Sequence, residues 1–132
     1  MAETEEPIRI LVIEDNRDSR DILSKLLRMS GYDVTSASDG ETGYTDALNQ
    51  EPDLIITDIH MPRLDGIEFV KRIRTQEALA TTPVLVVTAF GSNVAREAIE
   101  AGANASAEKP FDFDKFLATV QGLISRSRKT VQ

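Results

Sequence analysis

Three short, unbroken apolar runs constrain this chain more than any other feature: ILVI at 10–13, LII at 54–56 and VLVV at 84–87. A strand with one wet face alternates polar and apolar residues, so uninterrupted runs of this kind argue for strands covered on both faces, as in a parallel sheet. Two weaker candidates, 32–36 and 104–108, bring the number to five, the second with only Ala105 and Ala107 as apolar residues. Helical patterns lie between the runs. Ile22, Leu23, Leu26 and Leu27 form one apolar stripe, and Phe113, Phe116, Leu117, Val120 and Ile124 form a fuller one, whereas the helix over 39–50 has the poorest. Boundary signals agree with this reading. Gly31 and Gly102 suit helix C-terminal caps, Ser38 with Glu41 a capping box, and Ser92 and Asp112 N-caps; Asp65 and Gly66 form a turn and helix start, and Pro52 and Pro83 lead into strands. Strand and helix therefore alternate five times, which predicts an α/β fold built on a doubly wound, five-stranded parallel sheet with right-handed crossovers.

At 132 residues the chain is one domain with one core. Residues 1–7 are expected to be an acidic, flexible lead, 8–124 the domain and 125–132 a fraying tail. The formal charge of −7 repels nucleic acid and anionic lipid, so neither is an expected partner. With no cysteine and one histidine, thiolate chemistry and sulfur or imidazole metal centres are excluded, and any metal must be held by oxygen. No apolar run approaches the roughly 18 to 20 residues of a membrane span. The acidic start MAETEEP is unlike a signal peptide, so a cytoplasmic location is expected.

Ligands of an open α/β sheet bind beyond the carboxyl ends of the strands, where strand order reverses. Glu14 and Asp15 follow the first run, Asp58 ends the third, Thr88 ends the fourth, and Lys109 and Pro110 follow the fifth. In a sheet of order 2-1-3-4-5 the first and third strands are neighbours, which sets Asp15 beside Asp58. Unit charges a few ångströms apart in an intermediate dielectric repel by a few kcal/mol. Lys109 can supply one balancing charge and a divalent ion more. Carboxylates with water are how proteins hold Mg²⁺ beside phosphate, with Mn²⁺ able to substitute. The set reads as phosphoryl-transfer apparatus: Asp58 as nucleophile, already ionised at neutral pH, with Lys109 and the metal neutralising the transferred oxygens.

The motifs ILVIEDN, LIITDIHMPRLDG, VLVVTAF and EKPF, in that order, resemble those of the response-regulator receiver domains of two-component and phosphorelay signalling, over residues 8–124. That resemblance implies a CheY-like form of the flavodoxin-like fold. It implies a non-enzymatic phosphoacceptor, capable of self-phosphorylation and autodephosphorylation only, that receives its phosphoryl group from a sensor histidine kinase or a His phosphotransfer protein. Residue by residue, Asp58 matches the phosphoacceptor, Asp15 and Glu14 the acidic pair, Thr88 the switch hydroxyl and Lys109 the site lysine. Asp15, Asp58 and the backbone carbonyl of His60 would hold Mg²⁺, with Glu14 acting through water, and Lys109 precedes Pro110 in a bond often cis in the family. One departure is Ser106, where receivers with a Thr/Tyr switch carry an aromatic residue. Either Phe90 takes part of that role, or signalling relies on loop movement and direct recognition of the phosphorylated face; the second reading is adopted. Residues 60–65 and 89–92 are the expected moving loops, with the fourth helix and fifth strand as the partner-facing surface and a monomer or weak dimer as the assembly.

Plainer readings exist for each residue taken alone. Asp58 could cap a turn, Glu14 and Asp15 could sit in a solvated loop with Asp15 capping the first helix, Thr88 could merely end a strand, and Lys109 could be a surface charge. Together those readings would leave an anionic cluster with no partner. His60 is read as lining the mouth of the site, where it modulates water access, or as facing solvent. Three other functions compete. An FMN binder of this fold class needs a phosphate-tolerant first loop, which Glu14 and Asp15 oppose. A phosphatase of the haloacid dehalogenase type wants a second acid where His60 stands. A phosphorylation-independent pseudo-receiver would not need all the site residues, and all are present.

Overall fold

The five runs are strands, and they pair in parallel in the order β2-β1-β3-β4-β5. The computed structural model describes residues 7–61, 63–89, 93–109 and 111–130. In chain order the elements are β1 (Arg9–Ile13), α1 (Arg17–Met29), β2 (Asp33–Ala37), α2 (Gly40–Gln50), β3 (Leu54–Asp58), α3 (Gly66–Arg74), a single 3₁₀ turn (Glu77–Leu79), β4 (Val84–Ala89), α4 (Ala95–Ala101), β5 (Ala105–Lys109) and α5 (Phe113–Thr130). The three apolar runs occupy β1, β3 and β4, the interior of the sheet, where helices on both sides exclude water from every side chain. β5 is an edge strand, and its burial alternates along its length, which is why its sequence is the least strand-like of the five.

Side chains alternate across a strand, so each strand feeds two cores. On one face Leu11, Ile13, Ile55, Val84 and Val86 pack with Phe69, Val70 and Ile73 of α3, Ala47 of α2 and Ala98 of α4. On the other, Ile10, Val12, Leu54, Ile56, Leu85 and Val87 pack with Leu27 of α1 and Phe116, Val120, Leu123 and Ile124 of α5. A fully buried Leu, Ile or Phe contributes roughly 1.5–3 kcal/mol by leaving water, so these two layers supply the driving force.

The helix ends both follow and revise the sequence expectations. Asp112 accepts from the backbone N–H of Asp114 and Lys115, and Asp65 from that of Glu68. Gly31 and Gly102 take the positive φ values of helix C-terminal positions. At α2 the cap is Asp39, whose Oδ1 accepts from Thr42 N at 2.8 Å, and not the expected pair of Ser38 and Glu41. At α1 it is Asn16, bonded to Ser19 N at 2.9 Å, and not Asp15. In both cases the true cap is one residue on, where the side chain reaches the N–H three residues ahead. Ser92 lies outside the described residues, and Val94, which precedes α4, offers no side-chain cap.

Two further differences have packing causes. Of the expected α1 stripe, Leu27 is buried as predicted but Ile22 is 61% exposed, and Ser24, not in the stripe, is buried. The poor stripe of α2 reflects contact through backbone: a Cβ on Gly40 would strike the carbonyl of Leu64, and one on Gly43 would strike Ile13. Glycine there is the apolar face. α5 also continues to Thr130, past the expected end of the domain at 124.

At the amino end of the sheet Arg74 acts as a staple. Its guanidinium donates to the carbonyls of Gly102, Leu79 and Thr82 and to Oδ1 of Asn104, at 2.8–3.0 Å. Asn104 Oδ1 in turn accepts from Val84 N, so one side chain ties the end of α3 to the starts of β4 and β5. Truncation would orphan several partly buried acceptors. Arg74→Ala is expected to lower unfolding stability by about 2 kcal/mol or more, read as a lower urea midpoint at unchanged slope.

Candidate functional site

β1 and β3 are neighbours, with Ile13 opposite Thr57, so the next residues, Glu14 and Asp58, leave the sheet side by side. Alternation then sets their direction. Glu14 falls on the same face as Val12, Asp58 on that of Ile56, and Lys109 on that of Ala107, which is the side covered by α1 and α5. Carboxylate oxygens of Glu14, Asp15 and Asp58 lie within 4.8 Å of one another. Lys109 crosses from β5 to meet them, its Nζ donating to Glu14 Oε1 at 2.8 Å and standing 3.7 Å from Asp58 Oδ2.

Each member of the cluster is held differently. Glu14 is buried, and both its oxygens are engaged, Oε1 by Lys109 and Oε2 by Asn16 N at 3.0 Å. Its own carbonyl accepts from Arg20 of α1 at 2.9 Å. Asp58 Oδ1 accepts from Ile59 N at 2.7 Å and from His60 N at 3.4 Å, which leaves Oδ2 facing Lys109. Asp15 is exposed. Burial opposes the charge of Lys109, yet the hydrogen bond to Glu14 and the nearby carboxylates of Glu14, Asp58 and Asp15 outweigh it and raise the ammonium's pKa above the ordinary lysine value.

Thr88 is fully buried, and among the described residues its hydroxyl has no hydrogen-bond partner. An orphaned buried hydroxyl costs free energy, about 1–3 kcal/mol, unless some state of the protein gives it a partner. His60 is exposed, its backbone N–H turned to Asp58. Ser106 is exposed on β5, and Phe90 and Pro110 lie outside the described residues. The positioning residues that sequence reasoning missed are Asn16, Arg20, Thr57 and Gly66. Thr57 donates to the carbonyl of Asp58 at 2.9 Å, and Gly66 has no room for a Cβ against that same carbonyl. Only Gly66, following Asp65 at a helix start, carried a readable signal.

The donor set is all oxygen, from three carboxylates converging at the switch point of a parallel sheet, with excess negative charge that one lysine does not cancel. That composition fits Mg²⁺. Comparisons with known proteins agree. Residues 10–121 match the family model described as the response regulator receiver domain. The chain is 38% identical over 125 residues to the DNA-binding dual master transcriptional regulator RpaA of Synechocystis, covering 94% of this chain and 52% of that protein. It is 39% identical over 123 residues to the response regulator MprA of a Mycobacterium species, covering 92% and 52%. It thus spans about half the length of the curated relatives it matches. Among solved structures, the chemotaxis response regulator CheY4 of Vibrio cholerae superimposes with a TM-score of 0.83 at 31% identity, over 89% of this chain and 99% of that one.

Two consequences of the charge cluster can be measured. Asp58→Asn removes more repulsion, from Glu14 and Asp15, than attraction, from Lys109. Without divalent ions it should therefore raise stability by about 1 kcal/mol, and added Mg²⁺ should stabilise the wild type more than the variant. Because the Lys109 pKa is raised on folding, its contribution is fully present below the ordinary lysine value and is lost as pH rises through the folded one. Lys109→Met should accordingly be less stable than wild type at neutral pH, with the gap closing above pH 10.5. Chemical denaturation across that range reads it directly.

Proposed function

Because the chain belongs to the response regulator receiver family, we propose that it is a phosphoacceptor switch in which Asp58 takes a phosphoryl group from a phosphohistidine of a sensor kinase or His phosphotransfer protein. The observation that carries this reading is the meeting of Asp58, Asp15, Glu14 and Lys109 at one sheet end, although they come from three separate segments. A lone capping aspartate would need no such company.

In this reading an Asp58 carboxylate oxygen forms a bond to phosphorus as the phosphorus–nitrogen bond to the donor imidazole breaks, and the imidazole departs with that electron pair. The main-chain N–H groups of Ile59 and His60 hold Oδ1, so Oδ2 is the oxygen open to react. No general base is required, since the nucleophile is an anion. Asp15, Asp58 and the His60 carbonyl would hold Mg²⁺, which would supply charge neutralisation on the transferred oxygens. Lys109 lies 3.7 Å from Asp58 Oδ2, placed to contact one phosphoryl oxygen. The unpartnered Thr88 hydroxyl is suited to meet another, which would end its isolation and draw the end of β4 inward. Hydrogen bonds to charged groups net roughly 1.5–3 kcal/mol, so two such contacts approach the ~5.5 kcal/mol that turns a 1:99 equilibrium into 99:1. Glu14, with both oxygens engaged, orients Lys109 and would meet a bound metal only through water.

Among the described residues no helix is long and apolar enough to cross a membrane; a cytoplasmic site of action, beside a kinase's histidine domain, is part of the same proposal. Incubated with acetyl phosphate and Mg²⁺, the protein should gain one phosphoryl group by intact mass, and Asp58→Asn none. Equal labelling of both, or labelling undiminished by a chelator, would refute the assignment.

A further inference from the structure

Between α1 and α5, at the carboxyl end of the sheet, lies a cavity of about 510 Å³, within the range that holds small organic molecules. Ile22, Leu23 and Leu26 line its α1 side, and Phe111 and Phe113 its α5 side. Its floor is Val12, Ile56 and Val87, side chains of the sheet that the helices seal from solvent. The floor makes this a pocket and not merely an open helix face. Ile22, the exposed residue of the α1 stripe, belongs to this lining.

The polar groups of the lining are few and converge. Glu14, Asp58 and Lys109 contact one another, and Ser19 belongs to the first turns of α1. Two carboxylates there face one ammonium, and Asp15 lies within the same carboxylate cluster. Lys109 sits on Glu14 at 2.8 Å, whereas among the described residues Asp58 Oδ2 has no closer cation than the same lysine at 3.7 Å. An anionic head group would meet repulsion and a neutral one no complement. An apolar body with a single positive charge satisfies both ends of the pocket.

We propose that this cavity is a binding site for small apolar amines, with an aryl or alkyl body between α1 and α5 and the ammonium on the Asp58 carboxylate. The ammonium occupies the charge deficit that a divalent ion would otherwise fill, so the amine and Mg²⁺ exclude each other. A bound amine therefore holds the protein in an unphosphorylated form. This last consequence rests on the phosphoacceptor reading, whereas the binding itself does not.

The test uses the full chain, ¹⁵N-labelled and free of Mg²⁺, titrated separately with 4-phenylbutylamine, 4-phenylbutanol and 4-phenylbutyrate. Saturable shifts at the amides of Ile22, Leu26 and Phe113, with the amine at least about tenfold tighter than the alcohol or the carboxylate, are expected. Equal binding of all three, preference for the carboxylate, or no saturable shift would overturn the proposal. Ile22→Arg, a change at an exposed position, should leave thermal unfolding unchanged and weaken amine binding by at least about tenfold; wild-type affinity in that variant would also overturn it. Where Ile22→Arg does not fold, Ile22→Ala with Mg²⁺ competition replaces it, and the amine must raise the apparent Kd for Mg²⁺ in proportion to its concentration. Acetyl phosphate labelling separates the two readings. Labelling that proceeds at full rate with the amine bound sinks the exclusion, whereas absence of labelling in amine-free protein sinks the phosphoacceptor reading and leaves the pocket standing.

Discussion

The structure is organised around the repulsion of three carboxylates that the sheet forces together. Glu14 and Asp58 leave adjacent strands at the same level, just beyond the pairing of Ile13 with Thr57, so the register keeps their backbones side by side. The fold tolerates this because two apolar layers hold the sheet rigidly from both sides, and because Lys109 reaches across from β5. Such a cluster is a stored electrostatic cost that a bound cation can relieve. The amino end of the sheet, stapled by Arg74, lies apart from that repulsion.

Much of this was legible in the sequence because it followed from strong local patterns. Uninterrupted ILVI, LII and VLVV runs leave little alternative to buried parallel strands, and the parallel order then decides which strand ends meet. What the sequence hid is what depends on backbone contact. The α2 helix shows a poor apolar stripe because Gly40 and Gly43 press against Leu64 and Ile13, and a glycine's packing face cannot be read from hydrophobicity. Ile22 looked like core because it completes a stripe, but α5 does not cover that part of α1, and the cavity lies in the gap.

The site shows the same division. Residue types at strand ends pointed to Asp58, Asp15, Glu14, Thr88 and Lys109, and the structure brings the carboxylates and Lys109 together. Their supports were not visible. Arg20 holds the Glu14 carbonyl from one turn into α1, and Asn16 serves both as helix cap and as donor to Glu14 Oε2. Both are polar residues in a polar stretch, with nothing in their spacing to mark them. The cap is instructive: because Asn16 takes that duty, the Asp15 carboxylate stays free for the cluster.

In the proposed phosphoacceptor reading, Thr88 and Ser106 bear on how a signal leaves the site. Along β4, Val84 and Val86 face the α2, α3 and α4 layer, and alternation places Thr88 on that side. Ser106 pairs with Val86 across the β4 and β5 ladder and so shares the face, but it is small and exposed. A hydroxyl drawn from Thr88's buried position toward the carboxylate cluster vacates space that no ring from β5 stands ready to fill. Among the described residues α4 is the shortest of the five α-helices, Val94 before it makes no side-chain cap, and Ile99 is exposed on its surface. A helix so lightly anchored at its start costs less to reposition than one held by an Asn or Asp cap, as α1, α2 and α3 are.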